Sequence, residues 1–158
     1  MRKAFAYQAN SDLRVYELLC TSSFPMCHRL HYLQMSLEKL SKAHQWSTGV
    51  DPGNTHNVVA KILPTVIREH WRRVGNGGKP SSWQMTQIRE ICREVDLLHP
   101  IIDDEGRRPD NCEYPWSAQA NVHTPAKYPF RVADRINSTI GASMLKIASL
   151  IGQQLQES

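Results

Sequence analysis

A row of polar side chains, His31, Gln34, Glu38 and Lys42, recurs every three or four residues and therefore falls along one side of a helix. Hydrogen-bond donors and acceptors set beside one another in this way suit a nucleotide, and His56 further along adds an imidazole. A second row, Lys61, Thr65, Arg68 and Arg72, makes the most basic face in the chain, with Arg73 and Lys79 close by. Lys61, Arg68 and Arg72 are its candidate phosphate ligands. Plainer roles fit the same residues: a hydrogen-bonded network that orients two helices, or a wetted helix face carrying a Glu38–Lys42 pair.

Other chemistries have thinner support. Cys27 and His31, four residues apart, share a helix face as two possible zinc ligands, but no second ligand cluster accompanies them. The four cysteines, Cys20, Cys27, Cys92 and Cys112, contain no Cys-x-x-Cys pair and fit reduced thiols. Asp103-Asp104-Glu105 reads as a solvated turn rather than a cation site. Gly75-Asn76-Gly77-Gly78-Lys79-Pro80 offers backbone amides to a phosphate without the lysine spacing of a P-loop. A Gly-x-Ser-x-Gly elbow, a zinc-protease helix and a dinucleotide glycine fingerprint are all missing from the sequence. The expectation is a protein with no metal and no cofactor.

Helices must position these residues, because apolar side chains recur at a period near 3.6 in five segments and alternate convincingly almost nowhere. The first segment is expected to start at Asn10 or Ser11, with Leu13, Tyr16, Leu19 and Cys20 inward, and to stop near Thr21-Ser22-Ser23. The second opens with Ser23 as cap and Pro25 in its first turn and runs to about Trp46. Its apolar seam is Met26, Leu30, Leu33, Leu37 and Leu40, and the polar row lies next to that seam. Asn54 or Thr55 caps a third helix reaching about Arg73, with Val59, Ile62, Leu63, Val66, Ile67 and His70 inward and Pro64 inside it. The pattern Ser81-x-x-Gln84 predicts a capping box for a fourth helix to about Leu98, built on Met85, Ile88, Ile91, Cys92 and Val95. A last helix from about Asn137 to Gln154 presents Ile140, Met144, Ile147, Ala148, Ile151 and Leu155.

Between them, residues 99–136 form an irregular segment whose aromatic-proline pieces, Tyr114-Pro115-Trp116 and Tyr128-Pro129-Phe130, are expected to tack it onto the helices. One all-α domain of 158 residues follows, an antiparallel up-and-down bundle of four to five helices. A net charge of +4 favours polyanions without making a nucleic-acid coat. No apolar run approaches the roughly 18 residues that cross a bilayer, and the N-terminal stretch lacks the apolar core of a secretory signal. A cytoplasmic protein with no membrane partner is expected.

The second and third helices carry a resemblance. Cys27-His28-Arg29-Leu30-His31-Tyr32-Leu33-Gln34-Met35-Ser36-Leu37-Glu38-Lys39-Leu40-Ser41-Lys42-Ala43, followed by Thr55-His56-Asn57, resembles the HEPN superfamily, the higher eukaryote and prokaryote nucleotide-binding domain. The likeness lies in an aromatic-Leu-Gln core, a downstream Glu-Lys, a Lys-Ala ending and a Thr-His start to the next helix. Asn57 stands where an acidic residue is usual. It covers residues 11 to about 70 and says little about 99–136. The resemblance implies a helical homodimer acting on or near RNA, often in toxin–antitoxin or defence systems. It further implies, for nuclease members, an Arg-x(4–6)-His motif assembled across the dimer without metal.

Arg93-Glu94-Val95-Asp96-Leu97-Leu98-His99 fits that spacing, making Arg93 and His99 the catalytic candidates, although Glu94 replaces the usual Asn, Asp or His after the arginine. Histidine moves protons near neutral pH, arginine stabilises charge on a phosphate under attack, and RNA supplies its own 2′-hydroxyl. Alternatively, Arg93 pairs with Glu90 or Asp96 and His99 merely ends its helix. The chain is then a noncatalytic module whose helical surfaces bind a protein partner, such as the other member of a toxin–antitoxin pair.

Overall fold

The computed structural model describes residues 1–53, 57–74, 77–99 and 111–157, together with the backbone of 102–103 and 106–107. Helices dominate it: α1 (Arg2–Cys20), α2 (Met26–Ser47), α3 (Val58–His70), α4 (Ser82–Leu97), α5 (Arg131–Ile136) and α6 (Thr139–Glu157). A 3-10 turn, Trp71–Val74, extends α3. Two small antiparallel hairpins, β1 (Ile102–Asp103) with β2 (Gly106–Arg107) and β3 (Trp116–Ala118) with β4 (Asn121–His123), sit between α4 and α5. The class is all-α, and no helix among the described residues is long and apolar enough to cross a membrane.

Helix α2 is the central rod. Leu30, Leu33, Leu37 and Leu40 are buried as the apolar seam requires, and so are Cys27, Gln34, Ser36, Glu38, Ser41, Lys42 and Ala43 from other sides. Burial on more than one face means that neighbours cover the rod almost all round. Helix α1 covers one side in antiparallel register, for Tyr16 and Cys20 lie beside Met26, Arg29 and Leu30, while Ser36 Oγ donates to the Ala9 carbonyl at 2.8 Å. Helix α6 runs antiparallel to α1: Ile136 and Asn137 neighbour Tyr16 and Cys20, and Asn10 Nδ2 donates to Gln156 Oε1 at 2.8 Å.

Helix α1 begins at Arg2, some eight residues before the expected cap at Asn10 or Ser11. The reason is the size of the packing residues. Ala6 and Ala9 are fully buried and let α1 approach α2 closely, yet alanine adds little to an apolar stripe read from sequence. Asp12 is buried in mid-helix and pairs with Lys39 Nζ at 2.6 Å. Cys20, expected inward, is exposed.

The fourth helix matches its sequence signal closely. Ser81 Oγ accepts from Gln84 N at 3.2 Å, and Gln84 Oε1 accepts from Ser81 N at 2.7 Å, which completes the capping box. Its apolar positions Met85, Ile88, Ile91, Cys92, Val95 and Leu98 are all buried. The start of α3 has no side-chain cap from its own end; instead Asp96 of α4 accepts from Val59 N at 3.3 Å and Ala60 N at 2.8 Å. The expected caps Asn54 and Thr55 lie outside the described residues, as does the acidic run beyond the backbone of Asp103.

One departure from strict up-and-down order follows from these contacts. Helix α3 starts against the end of α4 and ends near the end of α2, with His70 in the neighbourhood of His44. Helices α2 and α3 therefore run in the same general direction. The ten residues 48–57 are enough chain for this, since they span up to about 33 Å when extended.

The segment after α4 is held down as expected by aromatics, with Trp116 and Phe130 buried. Cys112 N donates to the Leu98 carbonyl at 3.0 Å, tying this segment to the end of α4. Helix α5 and the hairpins were not legible as periodic segments, being only two to six residues long.

Candidate functional site

Helix α3 continues without a break through Pro64, and its polar side faces outward, with Lys61, Thr65, Arg68 and Arg72 exposed. Beyond the helix the chain turns through Gly77, whose φ of +73° suits glycine, and brings Gly78 and Lys79 back beside the helix end. Arg68, Glu69, Arg72, Gly78 and Lys79 together line an open cavity of about 560 Å³. Three cations face one carboxylate there, an excess that attracts phosphate. Arg68 and Arg72 stand one helical turn apart, so two planar guanidinium forks point into the same space.

Lys61 lies on the same face but outside the cavity lining. Arg73 is held aside by Gln154 Oε1 at 2.5 Å. Glu69 is the residue that sequence reasoning did not single out, because one carboxylate among arginines reads as an ordinary helix charge.

The polar row of α2 is an interior network. Gln34 Nε2 donates to Glu38 Oε2 at 2.7 Å and Lys42 Nζ donates to Glu38 Oε1 at 2.8 Å. Gln34, Glu38 and Lys42 are 1%, 7% and 8% exposed, too enclosed to meet a nucleotide without opening the bundle. The network-forming role weighed for these residues is the one their geometry displays. His31 lies nearer the surface; its Nδ1 sits 3.5 Å from Glu113 Oε1, and its ring packs edge-on against Tyr32. His56 lies outside the described residues. The structure thus groups Gln34, Glu38 and Lys42 in one place and Arg68 and Arg72 in another, and does not join the two groups.

Arg93 and His99 occupy the far end of α4. Arg93 is exposed and makes no ion pair with a described residue. Both partners considered for it are engaged elsewhere: Glu90 pairs with Arg135, and Asp96 caps α3. Glu94 also turns to Arg135, with its Oε1 at 3.2 Å from Nε. His99 is half-buried just past the helix, its backbone N–H reaching the Asp96 carbonyl at 3.4 Å. Arg93 lies within α4, whereas His99 lies two residues beyond its last residue.

The thiols are free, and burial pushes those of Cys27, Cys92 and Cys112 upward, the last to about 12. Such thiols stay protonated and unreactive. Among the described residues no three His, Cys, Asp or Glu side chains gather as a metal-ligand set. Compared with known proteins, the chain matches no family model, no curated protein and no solved structure.

Proposed function

We propose that this chain is a HEPN-like cytoplasmic protein that binds RNA or a nucleotide through the basic cavity at the end of α3, and that as a homodimer it cleaves RNA with Arg93 and His99. The observation that carries the binding reading is the convergence of Arg68, Arg72 and Lys79 on one open space of about 560 Å³, large enough for a nucleotide. Support for the cleavage reading is the state of Arg93, which is exposed and has no ion pair among the described residues although carboxylates surround it in sequence. In this reading the site takes Arg93 from one subunit and His99 from the other. His99 accepts the proton of a ribose 2′-hydroxyl as that oxygen attacks the adjacent phosphorus. Arg93 offsets the charge gathering on the phosphoryl oxygens. The bond to the 5′-oxygen breaks and that oxygen takes a proton from water, leaving a 2′,3′-cyclic phosphate and a 5′-hydroxyl, while His99 returns its proton to solvent.

Digestion of single-stranded RNA in the presence of a chelator tests the chemistry. Wild-type protein is expected to cut, and Arg93→Ala and His99→Ala to lose the activity by about a hundredfold or more. An inactive wild type that binds a protein partner tightly instead supports the noncatalytic module. Binding is tested separately with Lys61, Arg68 and Arg72 changed together to alanine. Unchanged RNA affinity in that variant overturns the basic face as the binding surface.

A further inference from the structure

We infer that a second cavity, between the end of α4 and residues 128–132, is a nucleobase pocket that selects guanine through Glu94. The inference rests on the proposed RNA or nucleotide binding and adds to it the identity of the base. The cavity measures about 390 Å³ and is lined by Glu94, Leu97, Leu98, Tyr128, Phe130, Arg131 and Val132. Its size lies within the range of small-molecule sites, about 300–1,000 Å³.

Its walls are those of a base site. Leu98, Phe130 and Val132 are buried and give an apolar floor. Tyr128 is half-buried and wedged edge-on by Trp116, His123 and Phe130, at centroid distances of 4.9, 5.8 and 5.1 Å. Held from three sides, the ring is an ordered platform for stacking, which needs no rearrangement when a base arrives.

Glu94 supplies the selectivity. Its Oε1 is engaged by Arg135, whereas its Oε2 is buried and has no hydrogen-bond partner. Burial is also the main cause that pushes its carboxyl above the usual range. An acceptor left in this condition is costly, and a ligand that supplies donors removes the cost. The last torsion of a glutamate side chain is soft, so a rotation that releases Oε1 from Arg135 turns both oxygens toward a ligand in the cavity. Guanine presents two parallel donors, N1–H and the N2 amine, to a carboxylate. Adenine, cytosine and uracil each place an acceptor beside their donor on that edge, and the acceptor repels the carboxylate.

An arginine side chain also carries paired donors, but the surroundings disfavour it. Arg131 lines the cavity and Arg93 adjoins Glu94, and both act on the Glu94 charge. Such a rim repels a guanidinium and attracts the phosphate of a nucleotide. Since Arg93 neighbours Glu94 in the chain, base reading and cleavage would occur at the same end of α4.

Titration of the full chain with guanosine, inosine, adenosine, cytidine and uridine tests this without involving phosphate. Guanosine is expected to bind, inosine about tenfold or more weakly for want of the N2 amine, and the other three more weakly still. Glu94→Gln, nearly isosteric, is expected to abolish the guanosine preference. Leu97→Trp, which fills the cavity from a solvent-accessible position, is expected to block all the nucleosides. Absence of guanosine binding, equal binding of guanosine and inosine, an unaltered preference in Glu94→Gln, or capture of free arginine in place of guanosine overturns the inference. If RNA binds but guanosine does not, the pocket falls and the basic cavity stands. If guanosine binds but RNA does not, the pocket stands and RNA binding falls.

Discussion

Lys42 carries an ammonium into the middle of the bundle at 8% exposure, and its salt bridge is to a carboxylate just as enclosed. Breaking such a pair leaves one charge stranded, so Lys42→Met is expected to cost about 3 kcal/mol or more in urea unfolding. Replacing the whole network, Gln34→Leu, Glu38→Leu and Lys42→Leu together, should recover most of that loss, because neither a stranded charge nor an orphaned amide remains. A triple variant as unstable as the single one would mean that the network itself, and not the avoidance of an orphan, stabilises α2. His70 gives a pH signature. Burial first, and Arg73 next, hold its imidazole below the ordinary value of about 6.5. The unfolded chain then binds the proton more readily than the folded one, so stability falls as pH drops from about 6.5 toward the folded value. Glu94 acts in the opposite sense in the more acid range, since its raised folded value makes the native state the better proton acceptor. Melting temperature against pH should therefore decline less steeply below 6.5 in His70→Gln than in wild type; identical profiles would remove His70 as the cause.

Helix ends separate what is local from what is not. The cap of α4 is written in four consecutive residues, Ser81 to Gln84, and needs no distant partner. Ser81→Ala is expected to cost about 1 kcal/mol. The cap of α3 comes from Asp96, thirty-six residues beyond Ala60, and joins two helices as well as satisfying two amides. Asp96→Ala should cost more, about 2 kcal/mol, because a buried charged acceptor is lost from a helix N-terminus. Equal costs in chemical denaturation would show that the cross-helix cap contributes no more than the local one. The turn between α5 and α6 follows a similar logic, for a Cβ at Gly141 would press into the carbonyls of Ile136 and Arg135.

Across the whole molecule, the basic cavity and the Arg93–His99 end lie on different elements, so the proposed binding and the proposed cleavage are separable by mutation. Mixing inactive Arg93→Ala with inactive His99→Ala should restore part of the RNA cutting, because a mixed dimer holds one intact composite site. No recovery, with dimers present, would exclude a site shared between subunits. Salt offers an independent measure. If Arg68, Arg72 and Lys79 each meet a phosphate, the logarithm of RNA affinity should fall with that of salt at a slope of about −2. Arg72→Ala should make that slope shallower by about 0.7, and an unchanged slope would place the phosphates elsewhere.

The spacing of Leu30, Leu33, Leu37 and Leu40 and the Ser81-x-x-Gln84 box were enough to reveal α2 and α4, since apolar period and capping act within a few residues. The basic face of α3 was legible for the same reason. Whether a polar row faces water or the interior is not a local property, however. His31, Gln34, Glu38 and Lys42 have one periodicity in either case, and only the neighbours packed around α2 made Glu38 and Lys42 interior. Likewise Ala6 and Ala9 are too small to mark a helix face until a second helix lies against them. Tertiary packing alone decided that Glu94 turns to Arg135, because charge partners are chosen by distance in space, and those residues are brought together by the fold.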